Sequence, residues 1–97
     1  MRGRYHEALE HYAAARTLFQ SLGRDVDVAR TLNGAIQSLI CLGRYEEALA
    51  SAHEARAIFD RHRNALGLAR LDCNVGNILH RQDRFDEALT FYRRAHE

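Results

Sequence analysis

Two cysteines, six histidines and a wholly arginine-based set of cations are the side chains of this chain that could do chemistry. A nucleophilic thiol needs an activating base or cation. Cys41 and Cys73 stand alone, with no Ser-His-Asp or Cys-His motif and no glycine-rich phosphate loop nearby. They read as reduced thiols of a cytoplasmic-type protein, small and partly buried. A helical metal pair needs two ligands on one face. His6, His11, His53, His62, His80 and His96 include no His-x-x-x-His pair, and His6 and His11, five apart, point in diverging directions. They read as solvated helix-face residues. Arg61-His62-Arg63 and Arg93-Arg94 fall where cations favour the negative end of a helix. The net charge of +1, with acids and bases interspersed, gives no footprint for nucleic acid. The expectation is therefore a chain that is not an enzyme and takes no cofactor, no metal and no nucleic acid.

The elements that would carry these residues recur. Gly43-Arg44-Tyr45-Glu46-Glu47-Ala48-Leu49 has a copy forty residues earlier, Gly3-Arg4-Tyr5-His6-Glu7-Ala8-Leu9, and another forty residues later, Asp83-Arg84-Phe85-Asp86-Glu87-Ala88-Leu89. Recurrence at one spacing marks a repeat array. Within it, apolar residues return at three- and four-residue steps, which predicts five amphipathic helices. They span about 4–22, 26–42, 44–63, 65–82 and 84 to near the end. The first puts Tyr5, Ala8, Leu9, Tyr12, Ala15, Leu18, Phe19 and Leu22 on one face, and the last turns in Phe85, Ala88, Leu89, Tyr92 and Ala95. Gly23 and Gly43 end two helices, because a left-handed cap costs glycine little. Asp25 or Asp27, Asn64 and Asp83 are expected as caps of the helices that follow. Absence of proline and abundant alanine favour helix over sheet. No apolar run approaches a membrane span, and the start of the chain enters an amphipathic pattern rather than a signal peptide.

Gly43-x-Tyr45-x-x-Ala48, followed by Ala52 and Ala55, resembles the turn and helix B of a tetratricopeptide repeat. Asn74-Val75-Gly76-x-x-Leu79 resembles the helix A signature of the same family. The resemblance covers nearly the whole chain, 1–97, read as one domain or as a fragment of a longer array. It implies an all-α solenoid of antiparallel hairpins winding into a right-handed superhelix, in the order B-A-B-A-B. The 40-residue unit, against the usual 34, and the missing closing proline resemble the long-repeat arrays of Pins/LGN-type polarity adaptors and of bacterial regulator and CHAT-protease proteins. Ile36 stands where the signature has glycine, and Asp72 stands where Leu32 stands one repeat earlier, so the two A helices cannot pack identically.

The family binds peptides or partner helices on the concave face lined by helix A. Carried onto this chain, the contact positions fall on Arg30, Asn33, Gln37 and Ile40, and on Arg70, Cys73, Asn74, Asn77 and His80, with Arg81 beside them. The expected binding groove is thus Arg30, Asn33, Gln37, Arg70, Asn74, Asn77 and Arg81. Amide side chains both donate and accept, so Gln37, Asn74 and Asn77 could form a ladder along a peptide backbone. Arginines take carboxylates bidentately, so the expected partner is a protein or peptide of acidic character. In the competing account, Asn74 bonds within the array and Arg30 and Arg70 pair with Asp27 or Asp72. Terminal helices without polar caps give the alternative of a self-associating homo-oligomer through its ends, or of a non-catalytic regulatory segment of a larger enzyme.

Overall fold

The computed structural model describes residues 2–95; Met1, His96, Glu97 and the side chain of Arg2 lie outside the described residues. The chain forms five helices: α1 (Arg2–Ser21), α2 (Asp25–Cys41), α3 (Tyr45–Arg61), α4 (Ala65–Arg81) and α5 (Phe85–Ala95). Consecutive helices pack side by side, and α2 also touches α4. The result is an all-α array of antiparallel hairpins.

All four connections are the same turn. Positive φ values fall at Gly23, Gly43, Arg63 and Asp83, twenty residues apart. At each, the next backbone N–H reaches back to a carbonyl of the last helical turn: Arg24 to Phe19, Arg44 to Leu39, Asn64 to Phe59 and Arg84 to Leu79, at 2.8–2.9 Å. These bonds satisfy the carbonyls that a helix end leaves open. Sequence reasoning found the first two through their glycines. It took Asp83 for a cap, whereas Asp83 itself holds the left-handed position at φ 62°. Asp25 and Asp27 also differ from expectation. The N-cap of α2 is Arg24, which makes no side-chain cap, and both acids lie in the first turn, where they favour the positive helix end. Asn64 caps α4 as expected, accepting from the Gly67 N–H at 2.8 Å.

The core runs along α2, α3 and α4. Phe59, Ile36, Leu71 and Ile78 are its largest fully enclosed side chains. Ala48, Ala52 and Ala55 are buried, so α3 approaches its neighbours closely. The array's ends depart from the inward pattern. Leu9 and Phe19 of α1 do pack on the core, but Leu18 and Leu22 are 56% and 59% exposed. On α5, Ala88 is buried while Phe85 and Leu89 are 55% and 47% exposed. Each terminal helix has a neighbour on one side only, so half of its apolar stripe meets solvent. Ile58, one forty-residue repeat after Leu18, has neighbours on both sides and is 9% exposed.

Candidate peptide groove

Between α2 and α4 lies a groove of about 330 Å³, backed by Phe59 of α3. Arg30, Asn33, Gly34 and Gln37 line one wall; Leu66, Gly67, Arg70 and Asn74 line the other, with Asn64 at the turn. The walls stay close because Asn74 Nδ2 donates to Asn33 Oδ1 at 2.6 Å, joining one A helix to the next. Gly67 lets α4 sit against Phe59: a β-carbon there would stand 2.5 Å from the ring.

Five of the seven expected residues therefore share one groove, and two do not. Asn77 accepts a hydrogen bond from the Tyr92 hydroxyl at 2.6 Å and stands farther along α4. Arg81, in the last turn of α4, is exposed beyond the groove. The expected amide ladder is thus replaced by separate bonds: Asn74 to Asn33, and Asn77 to Tyr92. Gln37 stays exposed, with Nε2 3.9 Å from Cys41 Sγ. Gly34, Asn64, Leu66, Gly67 and Phe59 were missed as groove residues. The signal for Asn64, Leu66 and Gly67 was present in Asn64-Ala-Leu-Gly67, a cap, an apolar residue off the stripe and a glycine in the first helical turn.

The cations differ in how they are held. Arg30 lies 3.7 Å from Asp27, which already pairs with Arg24 at 2.7 Å. Arg70 has no carboxylate within pairing distance among the described residues. Asp72, two residues and so roughly half a turn from it, instead faces the opposite flank, where it is buried and paired with Arg56 and, at 3.9 Å, with Arg94. Two further interactions fix helix starts and ends. Arg44 donates to Glu47 through Nε at 2.7 Å, and that bond holds the Glu47 carboxyl below the usual glutamate range and raises the guanidinium. The Tyr5 phenol is pushed up by the neighbouring Cys41 thiol.

Among the described residues no three His, Cys, Asp or Glu side chains stand together as metal ligands. No described helix is long and apolar enough to cross a membrane. The model of one family, tetratricopeptide repeat, matches residues 1–61 and again 27–97, which together span the chain. The chain belongs to the tetratricopeptide repeat family. No curated protein and no solved structure gives a significant match. Tetratricopeptide repeats are typically non-catalytic scaffolds and generally mediate protein–protein interaction. In this tetratricopeptide array α2 and α4 are the A helices, and α1, α3 and α5 are the B helices.

Proposed function

We propose that the array is a protein-interaction scaffold that holds an acidic segment of a partner, extended or helical, in the groove between α2 and α4. The observation that carries this reading is the pairing of chemistry across the groove. Arg30 and Arg70 stand on facing walls, both exposed, and Arg70 has no acidic partner among the described residues. Between them the Asn33–Asn74 pair keeps unused donor and acceptor capacity for a peptide backbone. An arginine without an internal partner offers its full fork to an incoming carboxylate. Residues 1–97 would act as one such unit. Arg81, beyond the groove, would meet a segment long enough to follow α4.

The test is binding of fluorescent peptides that differ only in the number of Asp and Glu residues. Affinity should rise with acidic content and fall with salt. Reversing both groove charges, Arg30→Glu with Arg70→Glu, should abolish it, while Arg93→Glu on α5 should leave it unchanged. Equal affinity for neutral peptides would sink the reading.

A second reading is favoured by one observation. Leu18 and Leu22 at one end, and Phe85 and Leu89 at the other, are apolar and about half exposed. Large exposed apolar residues grouped at an end suit association with another chain or another copy. Light scattering over a wide concentration range tests it: a constant monomer mass excludes self-association.

A further inference from the structure

The flank of the A helices turned away from the groove carries two cavities, one repeat apart. The first, about 430 Å³, lies between α1 and α3 over α2. The second, about 230 Å³, lies between α3 and α5 over α4. Their linings correspond at a distance of forty residues: Leu9 with Leu49, Arg16 with Arg56, and Leu39 with Leu79. The repeat has thus built one recess twice.

The two recesses differ at three large side chains: Tyr12 and Ala13 line the first where Ala52 and His53 line the second, and the third difference falls on the outer helix. Ser51 lines the first where Phe91 lines the second. Phe91 packs against the core, and the guanidiniums of Arg56 and Arg94 lie over its ring at 5.7 and 5.1 Å. The chain itself therefore displays the kind of side chain this recess accepts. In the first recess Ala35 replaces Val75, which widens it, and Leu32 replaces the buried Asp72, which makes its floor more apolar. Arg16 consequently has no acid beneath it and bridges to Glu54 at the rim. That pair is over a third exposed on both sides, and such pairs hold their side chains weakly. An apolar floor with a few polar rim groups, in a volume of several hundred cubic ångströms, is the make-up of a ligand cavity. A guanidinium held only by such a surface pair is suited to turn over an aromatic face.

We propose that the recess between α1 and α3 binds a phenylalanine side chain of a partner protein, seated where Phe91 sits one repeat later and covered by Arg16. The site is separate from the groove between α2 and α4, and its occupancy does not depend on what that groove binds.

The test is a methyl-detected NMR titration of the whole chain with N-acetyl-phenylalaninamide, and in parallel with N-acetyl-leucinamide. Saturable shifts are expected at the methyls of Leu9, Leu32 and Leu39 with the phenylalanine compound, and binding about tenfold weaker with the leucine compound. Ser51→Phe should fill the recess with its own ring and abolish the shifts, and Ala35→Val, a milder narrowing, should weaken binding in a folded chain. Arg93→Ala, on the exposed side of α5, should change nothing. Shifts that do not saturate, that map to other methyls, that are equal for the two compounds, or that persist in both narrowed variants would overturn the proposal.

Discussion

Tyr92 lays its ring across the bare α-carbon of Gly76, so that a β-carbon there would stand 2.6 Å from Cε1, while its hydroxyl donates to Asn77. One repeat earlier the equivalent pair is Ile36 and Ala52, both buried. Large and small have changed places between helix A and helix B. Gly76→Ala should therefore destabilise by about 1–3 kcal/mol through overpacking. Combined with Tyr92→Ala it should cost less than the sum of the two changes, because the space left by the Tyr92 ring takes up the added methyl group. Urea unfolding of the four-variant cycle measures this coupling; strict additivity would show that the ring moves aside freely.

Gly67 is the stricter case. Its missing β-carbon would meet Phe59, which is 1% exposed and has nowhere to go. Gly67→Ala should cost about 3 kcal/mol, outweighing the gain in helix propensity. Gly34→Ala, against the half-buried Tyr12 at 2.9 Å, should cost clearly less. Thermal unfolding that ranks Gly34 above Gly67 would contradict this packing.

The turns predict a gain. Arg63 holds a left-handed conformation at φ 52°, at the same place in the register as Gly23 and Gly43. Arg63→Gly should stabilise by about 1 kcal/mol, and Gly43→Ala should destabilise by about as much. Asp83→Gly should gain less, because Asp tolerates this region better than Arg. Midpoints of chemical denaturation are the readout.

The two junctions differ in electrostatics. Asp72 is buried beside Arg56, whereas Glu54 meets Arg16 near the surface. Removing Asp72 leaves Arg56 without its partner and should cost about 2 kcal/mol. Glu54→Ala should cost less than about 1 kcal/mol. Equal losses would mean that the Asp72 site is wetter than its burial implies.

The Arg44–Glu47 pair sets a pH dependence. The bond lowers the Glu47 carboxyl in the folded chain, so its contribution is present above the unfolded-state value and is lost as pH falls through the folded one. In a carbon-detected NMR titration Glu47 should titrate below the usual glutamate range, and Arg44→Ala should return it there.

Much of the fold was legible because the repeats state it three times. The spacing of Tyr45, Ala48, Ala52 and Ala55 implied a closely packed helix, and Gly23 and Gly43 announced the turns. The ends of α1 and α5 were misread because a periodic stripe records which face is apolar, not whether a neighbour exists to cover it. Arg63 escaped notice because arginine does not signal a positive φ, and Asp83, which stands in the glycine's place, reads in the sequence as a cap of the next helix. Of the expected groove, the residues on facing walls of α2 and α4 were reached through the resemblance to the family's helix A contact positions. Asn77 was assigned to the same face, but its fate depends on Tyr92, fifteen residues away on another helix.

The sequence by itself thus determined the helices, their twenty-residue rhythm and the family, since those depend on local periodicity and turn chemistry. Only the tertiary structure decided which positions are spoken for. Asn33 and Asn74 bond to each other, Asp72 serves Arg56 rather than Arg70, and Ser51 leaves open a recess that Phe91 fills one repeat later. Hydrogen bonds, ion pairs and filled volume are relations between helices, and a helix's own pattern does not record what its neighbour brings.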